Sequence, residues 1–309
     1  MKQYNFAPGS GPLLLVIGIS ILGVSDTLLL LVWESASVGQ FHFIRSIFIL
    51  CGILLVSRVC GLSLIPRQWI LMTVRTFFMV SAILLYFTAM PLMPIAEAGA
   101  GLFTSPIFVL LFSAIFLKEP IRPRQFLMVG TGMLGVVLIL LPNLGQLTIF
   151  HLFPVGAGAM YAIASMLTFR HLSGESPLAI LMCFMVGIGI IGGIMTTMFS
   201  LFPVTPELVS EARFLFSPWT YVSTDYFLWV GIIAALSLLA LVCITRAYQT
   251  TKTSQVAIYE YAYLASVGIS SYLIWDVMPS LLGIVGILLI IVTGLLINLN
   301  RSDADIRGQ

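Results

Sequence analysis

Five ionisable side chains interrupt stretches of sequence that are otherwise apolar: Asp26, Arg45, Arg75, Glu97 and Glu260. A charge at the centre of a lipid-spanning helix costs roughly 3 kcal/mol, so each should face a partner, a polar cavity or water. Asp26 and Arg45 lie about seven residues from the outer ends of adjacent apolar runs, and a rise of about 1.5 Å per residue puts them at similar depth. They suit an outer gate, or a grip on the ammonium and carboxylate of a zwitterion; the plainer alternative is a structural ion pair that neutralises itself. Arg75 and Glu260 are matched in the same way, about five or six residues from the cytoplasmic ends of their runs. Arg75 suits an anionic group and Glu260 a transferable proton, unless both snorkel to the interface. Glu97 lies near the outer start of its run, as a site residue or as a helix-start acid stabilised by the dipole there.

Aromatic residues form the second group. Tyr259 and Tyr263 are one helical turn apart, and Tyr248 closes the preceding run, so their faces suit a flat solute while the hydroxyls orient it. Interface belts are the other use of such rings, and Trp33, Trp69, Trp219, Trp229 and Trp275 all fall near ends of runs. Other chemistries lack their residues. No GxxxxGK[ST] loop, HExxH or GxSxG pattern occurs, and His42, His151 and His171 are scattered. Cys51, Cys60, Cys183 and Cys243 form no CxxC pair and read as small apolar core residues. Neither a catalytic centre nor a cofactor or metal site is expected.

The elements that must position these groups follow from composition. Of 309 residues, 60% are apolar and 8% charged, with a net charge of +2. A soluble domain carries about 25% charge, so the chain reads as an all-helical polytopic membrane protein, and nucleic acid is excluded as a partner. Apolar runs extend over 11–32, 38–56, 69–90, 94–117, 125–141, 150–167, 177–201, 226–244, 256–275 and 281–297. The connection 202–225, with Pro203, Pro206 and Pro218, leaves no room for a soluble domain. One side of these ten spans collects Lys2, Arg58, Arg67, Lys118, Arg122, Arg124, Arg170, Arg246, Lys252, Arg301 and Arg307, so both termini are expected to be cytoplasmic.

Ten spans divide into halves of five, and an odd number per half inverts the second against the first. Two stretches echo one another: Thr104 to Leu117, followed by Glu119-Pro120 and a glycine-bearing span, and Ala262 to Trp275, followed by Asp276, Pro279 and another. Inverted repeats with short or Gly/Pro-interrupted segments mark secondary transporters, whose solute site lies at the repeat interface.

The stretch 75–140, with Pro94-Ile95-Ala96-Glu97-Ala98, Ser105-Pro106 and Leu117-Lys118-Glu119-Pro120, resembles the EamA family of the drug/metabolite transporter superfamily. Arg246-Ala247-Tyr248, Tyr259-Glu260-Tyr261 and Trp275-Asp276 echo it in the second half. The resemblance implies ten transmembrane helices as two inverted five-helix repeats, 1–143 and 144–301, with a cytoplasmic tail over 302–309. It also implies a central cavity, alternating access, and dimers through the fifth and tenth spans. Tyr259-Glu260-Tyr261-Ala262-Tyr263 stands where the family's second repeat often has a proline, which breaks the simple symmetry of the halves.

The expected protein is a secondary-active or facilitative carrier of the cytoplasmic membrane for a small organic metabolite, flat or amphipathic, such as a vitamin like riboflavin, an amino acid or an S-adenosylmethionine-like molecule. The lipid bilayer is its solvent and a proton the candidate coupling ion. A drug or amino-acid exporter of the same fold, a non-transporting scaffold and a lipid-modifying membrane enzyme are the alternatives.

Overall fold

The computed structural model describes residues 11–89, 92, 93, 95–102, 104–116, 118, 123–140, 150, 152–211, 213–251, 257–276, 280–289 and 292. Among the described residues, every regular element is helical: α1 (Gly11–Leu28), α2 (Val38–Cys60), α3 (Trp69–Ala89), α4 (Ile95–Leu102), α5 (Ser105–Phe116), α6 (Pro123–Leu140), α7 (Leu152–His171), α8 (Pro177–Leu201), α9 (Pro206–Glu211), α10 (Arg213–Phe216), α11 (Thr224–Thr250) and α12 (Ala262–Trp275). Residues 281–289 are helical as well. Six of these helices are long and apolar enough to cross a membrane: α1 with its 3-10 extension to Leu31, α2, α3, α7, α8 and α11. The proposed tail at 302–309 and the basic residues Lys2, Arg122, Lys252, Arg301 and Arg307 lie outside the described residues.

Local chemistry sets the helix ends. The Ser37 hydroxyl accepts the Gln40 N–H at 3.3 Å to start α2, and Gly61 ends it with φ of +64°, which glycine adopts without steric cost. Ser223 starts α11 in the same way through the Tyr226 N–H at 3.3 Å. That helix has 27 residues and passes the expected end at Ile244 to reach Thr250.

Two expected spans are not continuous helices. The fourth is divided into α4 and α5 around Thr104, whose N–H and hydroxyl both turn back to the Gly101 carbonyl, at 3.1 and 2.7 Å. Pro106 lacks the N–H that would carry the ladder across this point, and it fits the first turn of the new helix. The ninth begins as a 3-10 segment, Ala257–Tyr261, before α12. It has no proline, yet the regular helix starts at the corresponding place.

The long helices pack in antiparallel pairs, α1 on α11, α3 on α7 and α2 on α8, while α12 lies parallel on α1, and α4 and α5 parallel on α7. Small residues allow the approach, as lipid-embedded packing requires, because lipid tails leave little hydrophobic force to drive helices together. A Cβ on Gly39 would stand 2.7 Å from the Gly192 carbonyl oxygen, and one on Gly192 would stand 2.6 Å from that of Gly39. Gly189 and Gly193, four residues apart, meet Ser46 and Phe43 on the same face of α2. Hydroxyl pairs tie helices across the interior, Ser25 to Ser237 at 3.1 Å and Thr27 to Ser270 at 2.8 Å.

Apolar side chains cover the outside; Val59, Ile70 and Leu273 are each more than 70% exposed. That surface suits hydrocarbon as solvent. Cys51 and Cys60 are exposed on that surface, which corrects their reading as core residues. Cys183 and Cys243 are half-buried.

Gly192→Val should lower the thermal stability of the detergent-purified protein by about 1–3 kcal/mol, because the α2 and α8 backbones must separate to admit it. Gly130→Ala, whose new methyl meets open space, is the control and should leave the melting temperature unchanged or slightly raised.

Candidate functional site

A cavity lies among the helix pairs. Its wall takes Asp26 from α1, Arg45 from α2, Arg75 from α3, Tyr248 from α11 and Tyr263 from α12. Five of the eight residues singled out from the sequence therefore line one space.

Asp26 and Arg45 share that space, but their hydrogen bonds run to other groups. The Tyr263 hydroxyl donates to Asp26 Oδ2 at 2.7 Å and stands 3.3 Å from the Tyr86 hydroxyl. Arg45, 5% exposed, reaches His42 Nδ1 with Nη2 at 3.4 Å and lays its guanidinium over the Phe41 ring at 5.2 Å, while its Nε has no hydrogen-bond partner. Arg75, 4% exposed, donates from Nε to the Thr168 hydroxyl at 3.3 Å and faces the Phe184 ring at 5.8 Å; its Nη1 has no partner.

Glu260 is fully buried behind the wall. The Ser105 hydroxyl donates to its Oε2 at 2.5 Å, and the Tyr248 hydroxyl donates to its Oε1. Arg75 and Glu260 are both buried in protein, so neither snorkels to an interface. Tyr161 stands between them, close enough for both charges to act on its hydroxyl, and its ring meets that of Tyr248 edge-on at 6.4 Å.

Tyr259 is buried but absent from the lining. The expected match with Tyr263 assumed α-helical spacing, and the 3-10 segment has a tighter turn that rotates Tyr259 off that face. Glu97 belongs to α4, and its side chain lies outside the described residues. The sequence reading missed Tyr86, Phe87, Tyr161, Phe184, Ser105, Ser165 and Thr168, all on the wall. A signal existed for Tyr161, since it sits in the middle of α7, too deep for an interface belt.

Polar clasps join the elements at both ends of the bundle. At the end where α2 and α11 start, Gln40 Nε2 donates to the Thr220 carbonyl at 2.7 Å and its Oε1 accepts the Thr220 N–H at 2.9 Å. At the other end, Glu175 Oε1 accepts the N–H groups of Arg67 and Gln68, both at 2.9 Å. There Gln249 Nε2 donates to the carbonyls of Leu172 and Glu175, both at 2.8 Å.

The chain and its fold have counterparts among known proteins. The EamA-like transporter family matches residues 9–141, so the resemblance read from the Pro94 to Pro120 stretch holds. The pseudopaline exporter CntI of Pseudomonas aeruginosa (strain UCBPP-PA14) is 26% identical over 285 residues, 92% of this chain and 94% of that one. Riboflavin transporters match over shorter stretches. That of Brucella anthropi is 34% identical over 87 residues, 28% of this chain and 31% of the relative, and that of Vibrio cholerae is 31% identical over 116 residues, 37% and 39%. A solved crystal structure superposes with a TM-score of 0.72 at 18% identity, covering 93% of this chain and 96% of the other, which shows a shared fold.

Tyr263→Phe should destabilise the protein by about 1–3 kcal/mol in thermal unfolding, because it removes the donor to Asp26 Oδ2 in a buried setting. Tyr272→Phe, on the exposed side of the same helix, should change nothing measurable.

Proposed function

We propose that this chain, a multi-pass membrane transporter of the EamA type and not an enzyme, carries a small organic metabolite through the central cavity by alternating access. The observation that carries the reading is the cavity itself: a space inside an apolar bundle, walled by tyrosine and phenylalanine rings, by the buried Arg45 and Arg75 and by the half-buried Asp26. Rings with a few polar groups suit a flat or amphipathic solute better than a sugar, which needs many hydrogen-bond partners. The names of the riboflavin transporters and the pseudopaline exporter agree with an organic solute, and the two groups leave import and export both open.

In this reading the chain holds two inverted repeats, 1–143 and 144–301. The helix pairs support it. Exchanging the first span with the sixth, the second with the seventh and the third with the eighth turns the α1 to α11 contact into the α7 to α3 contact and leaves α2 on α8. The same exchange relates the α1 to α12 contact to that of α7 with α4 and α5, and the Gln40 clasp to the Glu175 clasp at the other end. Rocking between repeats would then break one clasp at a time. Both termini are cytoplasmic in this reading, by the basic residues on that side, and the membrane is the cell's inner one. Dimer contacts through the fifth and tenth spans belong to the same proposal.

Glu260 is the proposed proton carrier, with Asp26 as the second candidate. Ser105, Tyr248 and Tyr161 hydroxyls surround Glu260, an arrangement that can hold the carboxyl with or without its proton. The solute is found by thermal stabilisation of the purified protein against amino acids, flavins, nucleosides and S-adenosylmethionine; a ligand at about 100 times its Kd adds about 2.7 kcal/mol. In proteoliposomes, Glu260→Gln should abolish uptake driven by a pH gradient while leaving exchange of solute for solute. Loss of both activities would assign Glu260 to folding or solute binding instead.

A further inference from the structure

The charges on the cavity wall do not balance, and the imbalance describes the solute. Arg45 and Arg75 are both more than nine-tenths buried and both line the cavity, yet the hydrogen-bond and ring contacts they make are with neutral groups: His42 and Phe41 for one, Thr168 and Phe184 for the other. Among the described residues, neither Arg45 Nε nor Arg75 Nη1 has a hydrogen-bond partner. A buried guanidinium with an unused N–H carries a desolvation cost that an incoming acid would relieve. The carboxylates nearby are occupied elsewhere, Asp26 with Tyr263 and Glu260 with Ser105 and Tyr248. Two arginines and one aspartate therefore line the wall, an excess of one positive charge.

Position sorts these charges into two groups. Arg45 is seven residues into α2, and Arg75 is six residues into α3, which starts from the opposite end of the bundle. At about 1.5 Å per residue across a hydrocarbon core of about 30 Å, the two lie roughly 10 Å apart along the bundle axis. Asp26, near the end of α1, belongs to the Arg45 group.

We propose that the solute is an elongated amino acid with a second acidic group at its far end, held by its α-ammonium and α-carboxylate between Asp26 and Arg45 and by its distal acid on Arg75. Such a molecule carries one net negative charge, which cancels the excess on the wall. Tyr161 and Met79, on the wall at depths between the two arginines, would hold an apolar or flat middle. This rests on the reading of the cavity as the solute site.

The test compares three probes on the purified protein by calorimetric or thermal-shift titration: L-phenylalanine, 4-carboxy-L-phenylalanine and the methyl ester of its ring carboxyl. The ring acid should bind about ten-fold or more tightly than either of the others, and Arg75→Gln should reduce that preference to about two-fold or less. Arg75→Lys should restore part of it. Equal or tighter binding of phenylalanine or the ester, or a preference that survives Arg75→Gln, overturns the proposal. So does failure of all three to bind. Transport of some other solute in liposomes would then show that only the solute class was wrong, whereas absence of transport for every class in the wider panel would remove the carrier reading with it.

Discussion

Two guanidinium groups inside an apolar helix bundle constrain the rest of this structure. Water is excluded and lipid offers nothing, so the protein must meet each charge with polar atoms, aromatic faces or an open cavity. Arg45 and Arg75 use all three: a ring nitrogen or hydroxyl on one side, the face of Phe41 or Phe184 on another, and the cavity for the remaining N–H groups. A well-packed core would have no reason to keep them in this half-satisfied condition, since replacing such groups by apolar side chains is often stabilising. Their retention makes sense in a protein whose interior is completed by a passing solute.

The same solvent explains where the helices break. Irregular backbone at membrane depth is tolerated only where protein or a cavity covers it. The interruption at Thr104 and the 3-10 segment Ala257–Tyr261 satisfy this together, because α5 packs on that segment and the first residue of α5, Ser105, donates to Glu260. Two separate departures from helical geometry thereby converge on one carboxyl at the edge of the cavity. The regular helices around them can pack closely because glycines at Gly18, Gly39 and Gly192 let backbones approach, so the rigid part of the bundle and its polar seam are built from different residue types.

Much of this was legible in the sequence, for physical reasons that also explain the gaps. Charges in apolar runs are costly enough to stand out, and Asp26, Arg45 and Arg75 all line the cavity. The all-helical character followed from the apolar runs; among the described residues six helices meet the full length requirement, the fourth run is divided and the ninth begins as a 3-10 segment. Pro106 announced one division. No proline announced the other, since tyrosine and glutamate are compatible with α-helix; only the echo of residues 104–117 in Ala262–Trp275 pointed to it, and the lost register carried Tyr259 off the cavity. Ser105, Ser165 and Thr168 gave no signal because serine and threonine commonly bond to their own helix backbone, as Thr168 does to Ala164 at 2.8 Å. Tyr86 was lost among the aromatic residues that gather near helix ends.

The central claim is that the cavity is a passage reached in turn from either side of the membrane. It is tested most directly by placing one thiol in the wall, Met79→Cys, in a protein whose Cys51, Cys60, Cys183 and Cys243 have been replaced by alanine. Labelling with a membrane-impermeant thiol reagent in right-side-out and inside-out vesicles should then modify the new cysteine from both sides, with bound solute slowing both reactions. Labelling from one side only, or from neither, would contradict alternating access and leave the cavity as a closed pocket in a membrane scaffold.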